Sequence, residues 1–371
     1  MQEWDPYKAL YIHIPFCKQR CKYCDFPTNA VSFDSLEIDS YLEHLIAQIR
    51  TYSNNDLLGS IQTVYIGGGT PTYLGNKRLS SLLYALSISM HLTTDVECTL
   101  EANPDSLTSS MVKDCYALGV NRISIGVQSF NDYLLNQLGR IHSSEQAKQA
   151  ITNAKERFEN ISIDLMCGLP GQTLPQFKED LLTALSLGVS HISIYPLTIE
   201  EGTPFYSLEQ QGKLILDEDL EAECMEFAES FLSSKGMYRY EVASYAYPGY
   251  KSRHNSAYWN SIPYLGIGTG AVSMRQNDLY RQRFSETDGI IEELDIFQMA
   301  AEDLMLRMRM SEGVSDEEVS IAAILLPETN KTLDALEQDG FVCHQNNRWK
   351  PTHKGWLFGN QLYGRLLELA P

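Results

Sequence analysis

No run of apolar residues in this sequence is long enough to cross a bilayer, although such residues make up 43 % of it. The opening stretch, MQEWDPYKAL, lacks the basic-then-apolar order of a secretory leader, so a cytoplasmic location is expected. Basic residues are scarce. Only 29 Lys and Arg stand against 48 Asp and Glu, a net charge of −19. Such a surface repels polyanions, which argues against a nucleic-acid partner, and it does not favour direct lipid binding. Low-complexity tracts and solenoid-type repeats are missing as well. Disulfides are not expected in a reducing compartment, so the eight cysteines read as free thiols or metal ligands.

What the sequence does contain is alternation. Its 371 residues suit two or three domains. Short β-rich runs occur at 9–14, 62–69, 96–102, 122–128, 161–168 and 191–197, with helical patterns between them. In the segment 39–49, Tyr41, Leu42, Leu45, Ile46 and Ile49 fall on one helical face. Ser143, Ser144, Glu145 and Gln146 give a helix-opening signal, and Gly188 a helix stop. Strand then helix, six times, with strands read as apolar on both faces, implies a parallel sheet wrapped by helices. The fold class is therefore α/β, a partial (β/α)6 barrel over 1–200 with its site at the C-terminal strand ends. A cysteine-bearing loop follows strand one and GGGTP follows strand two. Glu101 and Gln128 end strands three and four, so four polar elements meet at one rim.

The pattern changes after about residue 200. The segment 216–236 reads as an amphipathic helix and 238–246 as a strand. Residues 253–273, RHNSAYWNSIPYLGIGTGAVS, read as a structured loop. GIGTGA lacks the G-x-G-x-x-G order of a dinucleotide fingerprint and is expected to be loop. From 293 the chain turns helical, with helices expected over 293–310 and 331–341, a hairpin near 342–352 and a final helix. An α/β extension over 201–290 and a mostly helical, winged-helix-like domain over 291–371 follow. With this acidity the latter is expected to serve packing or protein contact.

Cys17, Cys21 and Cys24 lie within eight residues, in IHIPFCKQRCKYCDFP. Thiolates favour zinc, copper(I) and iron–sulfur clusters. Structural zinc takes four ligands, and here His13 would have to be the fourth. A four-iron cluster fits three cysteines better, because its fourth iron stays open for a small molecule. Cys98, Cys115, Cys167, Cys224 and Cys343 stand alone in apolar or helical contexts and read as core residues. The methionines of 299–310 read as core too, and His13, His44, His91, His142, His191, His344 and His353 as structural or solvated.

The C-x3-C-x2-C spacing after a first strand resembles the radical S-adenosylmethionine superfamily. That resemblance implies a [4Fe–4S] cluster on Cys17, Cys21 and Cys24, with S-adenosylmethionine chelated at the open iron. YIHIPFC, GGGTPT, LEANPD, GVQSF and DLMCGLPGQT resemble the blocks of the oxygen-independent coproporphyrinogen III oxidase group and cover nearly the whole barrel. Carried over by position, Tyr11 and Tyr23 are implied beside the cofactor, and Gly68, Gly69 and Thr70 at its methionine end. Glycines let the backbone approach such a ligand closely. Glu101, Gln128 and Asp164 offer acceptors for an ammonium or ribose hydroxyls, and Arg140 a fork for a carboxylate.

Two departures separate this chain from the dehydrogenases of that group. Phe26 stands where they carry a further cysteine, and ten residues precede Tyr11 here, so their long N-terminal arm is not expected. Both features resemble the group's heme-chaperone branch, as does HNSAYW: His254, Asn255, Tyr258 and Trp259 match its H-N-x-x-Y-W signature. Imidazole ligates heme iron, and Tyr and Trp pack on a porphyrin. The branch implies heme, covalently held in the family, and transfer to apo-hemoproteins such as respiratory enzymes. Homodimerisation and peripheral membrane contact through partners are further implications. The rival reading is a coproporphyrinogen III dehydrogenase or another radical S-adenosylmethionine enzyme.

Overall fold

The structure, a computed structural model, describes residues 4–90 and 95–371. His91 lies outside them. Six parallel strands follow the expected order: β1 (Ala9–Ile14), β2 (Thr63–Gly68), β3 (Glu97–Ala102), β4 (Arg122–Gln128), β5 (Asn160–Cys167) and β6 (His191–Pro196). Between them run α1 (Leu36–Asn54), α2 (Gly75–Met90), α3 (Ser109–Ala117), α4 (Asp132–Leu138), α5 (Ser144–Lys155) and α6 (Leu174–Ser186). The expected opening signal of α5 is a capping box, in which Ser143 and Gln146 satisfy each other's backbone N–H groups. α1 is longer than the 39–49 pattern, because Ser35 caps it four residues earlier and Ile38 joins Leu42, Leu45 and Ile49 in the core.

The strands are not apolar on both faces. Val64, Ile66, Cys98, Leu100, Ile123, Ile125, Ile161, Ile163, Ile192 and Ile194 pack in one core with helix residues. The alternate positions are polar: Thr63, Thr99, Arg122, Ser124, Ser162, His191 and Ser193 are all buried. Side chains alternate across a strand, so the helices take the aliphatic face and the barrel lumen takes the polar one. A lumen of this kind suits a polar ligand rather than a layered aliphatic filling.

Both edges of the six-stranded sheet are extended. β6 pairs with antiparallel β8 (Ser244–Ala246), which pairs with β7 (Tyr238–Arg239), so the expected single strand over 238–246 is two short ones. At the other edge β9 (Tyr264–Ile267) runs parallel to β1, followed by antiparallel β10 (Val272–Gln276), β11 (Tyr280–Ser285) and β12 (Gly289–Asp295). The region expected to be loop therefore holds α9 (Arg253–Trp259) and the β9–β10 hairpin. GIGTGA ends β9 with its first two residues and makes the turn of that hairpin with the rest. A side chain at Gly266 would meet the Val272 carbonyl oxygen at 2.3 Å, which explains the glycine by strand proximity.

α7 (Pro204–Gln210) and α8 (Glu218–Ser234) follow β6. The C-terminal part has its own core and comprises α10 (Ile296–Arg307), β13 (Val314–Ser315), α11 (Asp316–Leu325), α12 (Thr329–Gln338), β14 (Val342–Gln345) and β15 (Arg348–Pro351). The three strands form one small sheet, a winged-helix-like arrangement. Residues 293–295 finish β12 instead of opening α10, whose cap is Asp295. α11 was not anticipated, and the final helix is two, α13 (His353–Leu357) and α14 (Gly359–Leu367). Cys343 is half-buried on β14, whereas the other four lone cysteines are buried.

An ionic cluster ties α10 to the extended sheet. Arg281 on β11, 1 % exposed, donates to Glu302 at 2.5 Å and to Asp303 at 2.7 Å. Arg283 donates to the other oxygen of Glu302 at 2.7 Å. Removing Arg281 leaves the largely buried Glu302 with Arg283 as its one remaining arginine partner, a lost charge-assisted hydrogen bond that costs about 1.5–3 kcal/mol. Arg281→Ala is expected to lower unfolding stability by that amount in urea titration. A loss below about 1 kcal/mol would mean that apolar packing alone joins the two parts.

Candidate functional site

A cavity of about 310 Å³ opens at the C-terminal ends of the barrel strands. Cys17, Cys21, Tyr23 and Cys24 enter it from the loop after β1, and Gly68, Gly69 and Thr70 from the end of β2. Glu101, Gln128, Arg140 and Asp164 join them, so the expected cofactor residues other than Tyr11 line one cavity. Asn103, Ser124, Met166 and Tyr195 also line it and were not singled out from the sequence.

The cysteine loop is held by backbone bonds. Gly69 N donates to Ile14 O at 2.8 Å and Thr70 N to Phe16 O at 2.9 Å. A Cβ on Gly69 would lie 2.8 Å from Phe16 O and 3.0 Å from the Cys17 sulfur, so glycine is required for this approach. Gln128 adopts φ +67°, and the β4–β5 register shifts between Gly126 and Gln128. A non-glycine residue in the left-handed region at a cavity rim is the strain that functional sites carry.

Cys17 lies 3.5 Å from the Thr70 hydroxyl. Burial raises its pKa, the Thr70 contact opposes this, and the two neighbouring cysteines add to it. Burial also raises the Cys24 pKa. Arg140 places Nη1 3.6 Å from the Cys21 sulfur, while Nη2 donates to Asn103 Oδ1 at 2.8 Å and Gly126 O at 2.6 Å. Nη2 of the fork expected for a ligand carboxylate is thus engaged within the protein, while Nε has no hydrogen-bond partner, and Arg140 stands as a fixed cation beside sulfur. Asn103 links it to Thr70, donating to the hydroxyl at 3.0 Å.

Two carboxyls lie deeper. Glu101 accepts from Gly68 N at 3.0 Å and from Tyr65 OH at 2.8 Å, and burial pushes its pKa up to about 7. Burial likewise raises Asp164 to about 6, opposed by the charge of Arg122. A cationic group entering the cavity would favour ionisation of both.

Tyr11 does not line the cavity. Its hydroxyl lies 2.9 Å from His13 Nδ1, and His13 Nε2 donates to Pro27 O at 3.1 Å. The carbonyl can only accept, so Nε2 carries the proton and Tyr11 donates to Nδ1. Both ring nitrogens of His13 are used, which removes it as a fourth metal ligand. Among the described residues no three His, Cys, Asp or Glu side chains are gathered as a single-ion site. Three half-buried thiols at one cavity, a glycine cradle beside them and a nearby fixed cation fit a larger sulfur-ligated cluster.

The HNSAYW segment divides across α9. His254 and Tyr258, one turn apart, face the barrel. His254 is 1 % exposed, with Nδ1 2.9 Å from Thr63 Oγ1 and Nε2 2.9 Å from Tyr258 OH. Burial lowers its pKa to about 3, with Arg122 adding to the effect. The ring stacks on Tyr65 at 5.1 Å. As placed, His254 has both ring nitrogens engaged by Thr63 and Tyr258, and it packs beside the first residues of β2 and β3, at the barrel end opposite the cysteines. Asn255 and Trp259 face the other way, into a separate cleft.

Glu101 sets a pH dependence. Its folded pKa lies above the unfolded value of about 4.3, so the native state holds the extra proton between those values. Its contribution is present at low pH and is lost as pH rises toward about 7. The melting temperature of wild type minus that of Glu101→Gln is therefore expected to fall from pH 4.5 to pH 7.5 in calorimetry. A flat difference would show that this carboxyl ionises freely.

Comparison with known proteins agrees with this geometry. Residues 11–184 match the radical SAM superfamily, and 298–358 match the HemN C-terminal domain. A heme chaperone HemW of Bacillus subtilis (strain 168) is 34 % identical, with 97 % of this chain and 99 % of that protein aligned. One of Escherichia coli (strain K12) is also 34 % identical, over 96 % and 97 %. Among solved structures, coproporphyrinogen III oxidase (HemN) of Escherichia coli matches with a TM-score of 0.79 at 22 % identity, covering 98 % of this chain and 90 % of that one, a likeness of fold. With relatives this similar along nearly its whole length, and a three-cysteine cavity at the mouth of a parallel barrel, the chain belongs to the HemW family of the radical SAM superfamily.

Proposed function

We propose that this protein is a heme chaperone that holds heme and passes it to apo-hemoproteins such as respiratory enzymes. The end-to-end similarity to proteins named heme chaperone HemW carries the reading. Cys17, Cys21 and Cys24 would hold a [4Fe–4S] cluster, and the cavity above the lumen would hold S-adenosylmethionine. When bound, such a cluster supplies an open iron as a docking point and an electron. The chain's own residues do the rest. Gly68 and Gly69 let the backbone approach the ligand, Glu101 and Asp164 answer a positive charge, and Arg140 offsets charge on sulfur. Tyr23 would pack on the cofactor and Gln128 accept from its hydroxyls, while Tyr11 acts through His13 and the wall beneath.

Residues 1–200 form the barrel unit in this reading, 201–290 the extension that carries α9, and 291–371 the part available to partners. Homodimerisation, peripheral membrane contact through partners and a cytoplasmic location belong to it as well. Among the described residues no helix is long and apolar enough to cross a membrane.

The HemN-like fold gives the dehydrogenase reading its support. Phe26, 60 % exposed at the cavity, stands against it. Anaerobically reconstituted wild type is expected to contain iron and sulfide, to bind hemin and to load an apo-hemoprotein, without forming protoporphyrinogen from coproporphyrinogen III. Replacing all three cysteines by alanine is expected to remove iron and sulfide. Absence of hemin binding together with protoporphyrinogen formation would reverse the assignment. His254→Ala is expected to cost about 2 kcal/mol or more of stability, because it opens a cavity and strands two buried hydroxyls. Thermal unfolding therefore has to accompany any hemin titration of that variant.

A further inference from the structure

Trp259 and Asn255 open into a second cleft, of about 400 Å³, where β6, α8 and α9 meet α13. Its size is that of small-molecule sites. Trp356, Met225 and Tyr195 line it from other elements, and Tyr195 lines the cysteine cavity too. Two tryptophans from α9 and α13 thus share one hollow with a flexible thioether, a surface that suits a flat apolar molecule.

The cationic residues of the cleft differ in how they are used. Arg239 is satisfied by the protein: it donates to the carbonyls of Glu241 and Val242, Glu229 lies 3.7 Å from its Nη1, and its guanidinium covers one face of Trp356 at 4.3 Å from the ring centre, which leaves the rest of that indole to the cleft. Arg309 is not. Its Nε is buried without a hydrogen-bond partner, and among the described residues its guanidinium forms no ion pair. It is held by aromatic faces alone, 5.0 Å from the Trp259 ring centre and 4.7 Å from that of Tyr363. In a chain with 48 acidic residues against 29 basic ones, an arginine that shares its cleft with Glu221 and Glu241 yet forms an ion pair with neither is a vacant anion partner. The acids in the cleft do not compensate it. Glu241 accepts from Trp259 Nε1 at 3.0 Å and from Ala243 N at 3.2 Å, and Glu221 lies on α8 without contact to Arg309.

We propose that this cleft seats a planar tetrapyrrole dicarboxylate, with Trp259 and Trp356 against the macrocycle and Arg309 paired to one propionate. The assignment rests on the heme-chaperone reading and adds to it the place and the recognised group. Arginine pairs carboxylates with two parallel hydrogen bonds, and the stacked rings preorganise it for that geometry. His254 does not reach the cleft, so Asn255 and Trp259 are the parts of the HNSAYW segment that face the ligand.

The test titrates full-length protein with hemin and with hemin dimethyl ester, read by Soret absorbance. Wild type is expected to bind the free acid about tenfold or more tightly than the ester. Arg309→Gln is expected to lose that preference, weakening for the acid and staying unchanged for the ester, and Arg309→Lys to restore part of it. Trp356→Ala is expected to weaken both ligands several-fold. Equal affinity of wild type for acid and ester, or wild-type discrimination by Arg309→Gln, would overturn the assignment while leaving the chaperone reading standing. Failure of wild type to bind either ligand would overturn both. Should Arg309→Gln not fold, the wild-type preference and Trp356→Ala decide: no preference and no weakening reject the cleft.

Discussion

Two backbone hydrogen bonds organise the mouth of this barrel. Gly69 and Thr70 donate to the carbonyls of Ile14 and Phe16, so the end of the second strand is fastened to the chain that enters the cysteine loop. The fastening is possible because Gly69 has no side chain. A Cβ there would collide with Ile14 O, Phe16 O and the Cys17 sulfur together. With the loop fixed, Cys17, Cys21 and Cys24 reach one cavity, and Arg140 can set its guanidinium beside Cys21. Loosening this contact would leave the loop held chiefly at Lys22, which bonds Leu138 and Phe205, and would free Cys17 at its start, where ordering it would cost conformational entropy on every binding event.

Below the mouth the barrel is wet in character although closed to solvent. Serines 124, 162 and 193 stand at alternate positions between isoleucines on three successive strands, and Ser124 pairs in register with Ser162. The helices are held by the aliphatic face of the same strands. Stability and ligand chemistry are thereby assigned to opposite sides of one sheet.

Much of this was legible in the sequence. The six strands, the rim position of the cysteines, GGGTP, Glu101 and Gln128, and the helix opening at Ser143 rest on local rules of spacing, capping and periodicity, and the structure places them as expected. The polar lumen was also written there, as I-S-I in RISIGVQ, ISIDLMC and HISIYPL, but short isoleucine-rich runs read as apolar throughout. What sequence could not show was direction. Nothing in HNSAYW says that it is helical, because its neighbours are rich in Gly, Pro and aromatics and its helix is capped by a serine one residue upstream. Once it is helical, the three- and four-residue offsets decide that His254 and Tyr258 go inward while Asn255 and Trp259 go outward. The contacts of Arg140 and Tyr11 were not legible for a similar reason: their partners, Asn103 and Gly126 for one and His13 for the other, are set by tertiary contact.

The shared turn of α9 has a mechanical meaning. Trp259 looks into one hollow and His254, five residues back, is wedged under Tyr65, whose hydroxyl reaches Glu101 and through it the amide of Gly68. A short rigid rod with one end in each compartment cannot tilt at one end alone. Whatever displaces the indole must either unwind that rod or transmit a push, residue against residue, to the peptide that cradles the sulfur loop.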